Sequence, residues 1–137
     1  MPLHDELDMP RPFGDTRHET ALAIVLTAGM LTKEATRILK PFGLTDAQFN
    51  ILMLLKDQSV DGCLTQTDLG DMLLVNRSNI TGLVDRMERS GLVQRVPSPD
   101  DRRVNHINMT PRGRKVLAEA HDVYYRRMTE IMEIGRA

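Results

Sequence analysis

The stretch from Leu64 to Thr110 constrains this chain more than any other. It sets two short capped amphipathic segments in tandem and follows them with a hairpin whose tip is Asp100-Asp101-Arg102-Arg103. Thr65 is placed to cap the first segment, and Asp68 takes the reciprocal position of a capping box, where Glu or Gln is the commoner partner. Leu69, Met72 and Leu73 then fall on one face. The second segment opens at Asn76 or Ser78 and runs Ile80, Leu83, Val84 and Met87, a helical stripe that Gly91 closes where a left-handed residue costs least. Its other face carries Arg77, Ser78, Asn79, Thr81, Gly82, Asp85 and Arg86. Small hydrogen-bonding residues in a first turn, with arginines on either side, suit a helix whose N-terminal end meets base edges and phosphates. Plain packing produces helix pairs with polar outer faces too, so the next segment decides.

Leu92 to Val96 alternates as a strand, Pro97 and Pro99 interrupt it, and Val104 to Met109 alternates again. The connection exposes two adjacent arginines, and Asp101 is placed to hydrogen-bond the turn backbone or Arg103. A helix pair followed by a basic hairpin provides a helix for the major groove and an arginine loop beside it. On this reading Ser78, Asn79 and Thr81 address base edges, Arg86 and Arg102 phosphates, and Arg103 the flanking minor groove.

The run from Leu44 to Lys115 resembles the MarR family of bacterial winged-helix repressors. The motifs that carry the resemblance are LTDAQFNILMLL, LTQTDLGDMLLVNRSNITGLVDRMERSGLVQR and DDRRVNHINMTPRGRKVL, the last holding an Asp-x-Arg wing signature at Asp101 and Arg103. Two positions depart from the family pattern: Leu74 stands where the inter-helix turn usually has Gly, and Gly82 where the recognition helix often has Arg. The resemblance implies a mainly α fold with a small β-hairpin wing, a winged helix-turn-helix with long N- and C-terminal dimerisation helices. It also implies a homodimer on double-stranded DNA and a small, often aromatic, anionic effector in a cleft between the dimer helices and the DNA-binding lobe. Arg17 and His18 are candidates to face that cleft.

Charge fits this reading only when it is divided along the chain. The formal net charge is −1 over 137 residues, yet residues 76–115 hold 9 basic and 4 acidic residues, whereas residues 1–75 hold 6 basic and 11 acidic ones. Phosphate binding depends on the local field, so the whole-chain balance misleads. Aromatics are 4% and tryptophan is absent, which predicts an aliphatic, methionine-rich core. No apolar run spans a bilayer and no signal pattern opens the chain, so a cytoplasmic protein without membrane contact is expected.

The flanks are expected to supply assembly. Residues 1–15 read as a flexible arm and residues 16–137 as a single winged-helix domain, with 16–43 and 110–137 as dimerisation helices around a lobe at 44–109. Ala21 to Leu31 is apolar on nearly every side, which fits either burial within the monomer or a subunit interface. Thr45 with Gln48, and Thr110 with Pro111, mark two further helix starts. Relative to the family, the chain stops before the last helix would be complete. No catalytic constellation, cofactor motif or metal-ligand spacing is evident: the four histidines lie far apart in sequence and none pairs with Cys63, which reads as an inert thiol rather than an oxidant sensor. The chain therefore reads as a ligand-responsive repressor on a pseudo-palindromic operator, the alternative being a winged helix that docks protein without reading DNA.

Overall fold

The computed structural model describes residues 2–73 and 77–134, with backbone only at Arg77 and Ile134. The turn at Leu74 and the capping role considered for Asn76 lie outside the described residues. The chain packs as two compact units, Met1–Ala35 and Thr36–Ala137.

The first unit opens with one helical turn, α1 (Leu3–Glu6), in the segment whose prolines and acids suggested a loose arm. The Leu3 N–H donates to the Glu19 carboxylate at 2.9 Å, which ties this turn to the long helix α2 (Thr16–Leu39). Along α2, Ile24, Val25 and Met30 stand 65%, 66% and 69% exposed, so the apolar surplus of this helix faces outward in the single chain.

The second unit holds the end of α2, a 3-10 turn at Lys40–Phe42, and α3 (Asp46–Asp57). Next come β1 (Cys63–Thr65), α4 (Gln66–Leu73) and α5 (Arg77–Arg89). The wing strands β2 (Val93–Pro97) and β3 (Asn105–Met109) lead into α6 (Pro111–Ile134). Three starts follow the sequence signals directly. The Thr45 hydroxyl accepts from the Gln48 N–H at 3.2 Å while the Gln48 side chain accepts from the Thr45 N–H at 3.1 Å. Thr65 and Asp68 make the same reciprocal pair, each bond 3.0 Å. Thr110 accepts from the Gly113 N–H at 3.0 Å, and Pro111 takes the first helical position, where its missing N–H costs nothing. Ser78 lies within the first turn of α5 rather than at its cap.

The sheet has the order β1-β3-β2, all antiparallel. The third strand, β1, adds to the expected hairpin; three residues are too few for alternation to announce. Its Leu64 pairs with Ile107, and Val93 pairs with Met109, so these four apolar side chains share one face. That face closes over Leu69 of α4, over Ile80, Val84 and Met87 of α5, and over Ile51, Leu52 and Leu55 of α3, a single aliphatic core. Full burial of each such Leu or Ile contributes about 1.5–3 kcal/mol relative to exposure. Phe49 of α3 meets the Tyr124 ring of α6 with centroids 4.6 Å apart. Burial pushes the Tyr124 phenol above its ordinary pKa and the nearby Asp46 charge pushes it further; burial also raises the Asp46 carboxyl.

The joint between wing and α6 is closely packed. The Thr110 hydroxyl reaches the Gly91 and Leu92 carbonyls, and a Cβ on Gly113 would overlap the Leu92 carbonyl oxygen and crowd the Met109 side chain. Gly113→Ala is therefore expected to destabilise the protein by about 3 kcal/mol, because backbone cannot give way as a flexible side chain does. That exceeds the ~1 kcal/mol by which alanine favours an open helix. A urea midpoint equal to or above the parent's would show that the joint relaxes freely.

Candidate nucleic-acid interface

The predicted recognition residues occupy one outward face of α5. Ser78, Asn79, Thr81 and Arg86 are exposed and Gly82 is half-buried; the Arg77 side chain lies outside the described residues. Arg86 folds back along the helix, its Nη1 3.5 Å from where a Cβ on Gly82 would stand. The cationic head of Arg86 thus covers the position at which Gly82 departs from the family pattern.

At the wing, Asp101 does both things considered for it. Its Oδ1 accepts from the Arg103 backbone N–H at 3.0 Å and from Arg103 Nε at 3.2 Å, while its carbonyl accepts from the Val104 N–H at 3.0 Å. The tip is held, yet Arg103 remains 90% exposed. Arg102 beside it is exposed as well. Helix and wing meet across a cleft of about 360 Å³ lined by Thr65, Gln66, Thr81, Arg103 and Asn105, so the two predicted clusters open onto common space.

A residue that sequence reading passed over organises this face. Arg95 of β2 is 19% exposed on its side chain and donates to Asp85 at 2.6 Å, to Glu88 at 3.2 Å and, through Nε, to Gln66 at 2.9 Å. Its backbone N–H adds a bond to Glu88 at 2.8 Å. The Gln66 amide nitrogen then donates to the Thr81 hydroxyl at 3.1 Å. One guanidinium thereby joins α4, α5 and β2, with the planar fork that carboxylates match. The cluster has two electrostatic results. Asp85 and Glu88 share the charge of Arg95 and are drawn toward it, which offsets part of their negative field on this face. The Thr81 hydroxyl is engaged internally, so it positions the helix as well as facing the cleft. The signal for Arg95 was its parity: it alternates in phase with buried Val93 and so points inward.

Cys63 and His106, distant in sequence and read as unrelated, are brought together by the β1–β3 register, with Sγ 3.4 Å from Nδ1. Among the described residues no group of three His, Cys, Asp or Glu side chains is arranged to hold a metal. Arg17, considered for a ligand cleft, is bound to Asp15 at 3.0 Å, and His18 packs edge-on to Phe13. The Arg17 guanidinium in turn holds the Asp15 carboxyl below its ordinary pKa. No helix among the described residues is long and apolar enough to cross a membrane.

A helix pair whose second helix shares a cleft with the hairpin of a three-stranded antiparallel sheet defines a winged helix-turn-helix protein. A family model described as MarR family matches residues 42–104. The transcriptional activatory protein BadR of Rhodopseudomonas palustris is 43% identical over 89 residues, covering 65% of this chain and 51% of BadR. Among solved structures, the MarR family regulator Sco5413 of Streptomyces coelicolor is 30% identical with a TM-score of 0.73, covering 90% of this chain and 83% of that one. The regulator MOSR of M. tuberculosis, solved in complex with DNA, is 27% identical with a TM-score of 0.71, covering 82% and 80%. The chain belongs to the MarR family. It spans about half the length of the curated relatives it matches, 51% of BadR and 56% of a Salmonella MarR protein.

Arg95→Met is expected to cost about 1–3 kcal/mol, since it strips charged hydrogen bonds from two half-exposed carboxylates. Affinity for duplex DNA should fall further than stability explains, because Asp85 and Glu88 then face the phosphates uncompensated. Arg95→Lys should recover little, as an ammonium cannot hold three partners in one plane. Denaturation midpoints and DNA titrations on the same samples check both; DNA affinity unchanged in Arg95→Met would remove this residue from the interface.

Proposed function

We propose that this protein is a homodimeric, sequence-specific DNA-binding transcriptional regulator that responds to a small anionic effector. The observation that carries the reading is the joint cleft of α5 and the wing, flanked by outward arginines whose neighbouring acids are tied to Arg95 and to the wing turn. In this reading α5 lies in a major groove, with Ser78, Asn79 and Thr81 toward base edges and Arg77 and Arg86 toward phosphates. Over Gly82 it is the folded-back Arg86 that supplies the cation. Asp101 holds the wing so that Arg103 enters the adjacent minor groove, where a narrow A/T-rich groove attracts a guanidinium, while Arg102 grips the backbone. Occupying an operator that overlaps a promoter excludes polymerase, so repression needs no further surface; the activatory name of BadR marks the opposite sign among relatives.

The exposed apolar side chains of α2 support a dimer. Ile24, Val25 and Met30 each stand about two-thirds exposed on one helix, a surface that soluble monomers seldom leave bare. Two linked recognition helices also select far more sequence than one, through effective concentration. A two-fold dimer matches a pseudo-palindrome with half-sites about 10 bp apart.

Retention on random-sequence duplex DNA, falling steeply as salt rises, tests the reading directly. Salt-independent or absent retention would favour a protein-docking winged helix. On a selected operator, Asn79→Ala should lose about 1–3 kcal/mol of discrimination at one base pair, and an equal loss on every single-base variant would reassign Asn79 to the backbone. Arg103→Ala should weaken preference for A/T-rich flanks, whereas Arg102→Ala should lower the salt slope by about 1 across all sequences.

Val25→Glu should yield a folded monomer in sedimentation at micromolar concentration and lose operator selectivity. A parent protein that sediments as a monomer yet binds a palindromic operator tightly would overturn the dimer.

A further inference from the structure

The sugar-phosphate strand of a duplex separates its major groove from its minor groove. A protein that puts a helix in one groove and a wing in the next therefore straddles that strand. Here the space between the two elements is the cleft of about 360 Å³, and no carboxylate is among its described lining residues. One wall carries Gln66, the first residue of α4, half-buried beside α5. Its amide is oriented from behind. Arg95 Nε lies 2.9 Å from one terminal atom of Gln66, and because a guanidinium can only donate, that atom is the carbonyl oxygen. The amide nitrogen is thereby turned the other way, where one N–H goes to the Thr81 hydroxyl at 3.1 Å. A primary amide carries two N–H groups, and the second has no partner among the described residues.

We propose that Gln66 is a DNA-backbone contact, its second Nε2–H donating to a nonbridging phosphate oxygen of the strand that runs between α5 and the wing. The assignment rests on the DNA-binding reading above and adds a contact outside both the recognition helix and the wing tip. Phosphate is the acceptor, rather than a base edge, because Gln66 stands off the outward face of α5, on the wall that meets backbone once the helix is seated. The orientation is set before DNA arrives. With its oxygen held by Arg95 the amide offers an anion a donor; turned over, it would offer the anion an oxygen. The charge of Arg95 also polarises the amide through that bond, which makes the outer N–H a better donor. Arg95 thus acts on DNA through Gln66 without reaching it.

The test uses the full chain and an operator that it selects from a random duplex pool, remade with an uncharged methylphosphonate at one linkage at a time. Several linkages should matter to the parent protein. At one of them per half-site, beside the wing, the loss should shrink about threefold or more in Gln66→Ala, while every other linkage weakens the two proteins alike. Each protein is compared with itself on two DNAs, so a general loss of stability in the variant cancels. On unmodified operator Gln66→Ala should bind about tenfold more weakly, by the same factor on every single-base variant. Its salt slope should equal the parent's, since a neutral amide releases no counterion. Gln66→Glu keeps an acceptor for Arg95 and lacks the N–H, so it too should lose about tenfold or more, and it decides the matter where Gln66→Ala fails to fold. Equal methylphosphonate losses in parent and variant at every linkage would overturn the contact and leave Gln66 a link between Arg95 and Thr81. Coupling to a single base pair, or a Gln66→Glu protein that binds like the parent, would sink it as well. A parent that holds no duplex even at low salt fails the regulator reading itself and takes this contact with it, whereas the other failures leave that reading standing.

Discussion

The face that α5 shares with the wing depends on one guanidinium. Arg95 reaches from the wing strand into the angle between α4 and α5 and fixes Gln66, Asp85 and Glu88 about a single plane. A winged helix must hold its recognition helix and its wing at a set separation, because the two address neighbouring grooves of the same duplex. The hydrophobic core alone gives that separation only loosely, since aliphatic contacts have no direction. Charged hydrogen bonds at 2.6 to 3.2 Å do have one, and here they cross all three elements involved. The same residue performs the electrostatic sorting. It draws two half-exposed carboxylates of α5 to one side, so part of their charge is offset within the protein.

This explains how a chain of net charge −1 carries a basic working face. Segregation along the sequence is the first step, with positive charge gathered between residues 76 and 115. Internal pairing is the second, with Asp85 and Glu88 spent on Arg95 and Asp101 spent on the wing turn. The Asp101 arrangement is economical in another sense: one carboxylate oxygen accepts both the backbone and the side chain of Arg103, ordering the tip without burying the guanidinium. Exposed arginines on an ordered turn lose less entropy on meeting DNA than arginines on a loose one.

What could be read from sequence was governed by local rules. The Thr45–Gln48 and Thr65–Asp68 capping boxes, the Thr110–Pro111 start and the left-handed Gly91 each depend on residues within a few positions of one another, and all are present. The stripe of Ile80, Leu83, Val84 and Met87 is buried for the same reason, a period that one helix enforces by itself. The misses share the opposite property. β1 is a strand only because β3 lies beside it; Cys63 meets His106 only through that register; α1 is held by Glu19, 16 residues on from Leu3. Gly113 looks unremarkable in sequence, and its necessity appears only when the Leu92 carbonyl is placed against it. Arg95 is the one long-range feature with a local clue, its phase with buried Val93.

The joint at Thr110 connects the two halves of this logic. Met109 ends the wing, Thr110 caps the next helix, and Pro111 begins it, so the connection contains no slack. Thr110 is bonded on one side to Gly91 and Leu92, where the recognition helix turns into the wing, and on the other to Gly113 in α6. Gly113 in turn admits the Leu92 carbonyl at a distance that any side chain would forbid. No loop separates α6 from the strand pair, and Arg95 in turn bonds that strand pair to α5. At its first turn, then, α6 is joined to the end of the wing with no intervening loop.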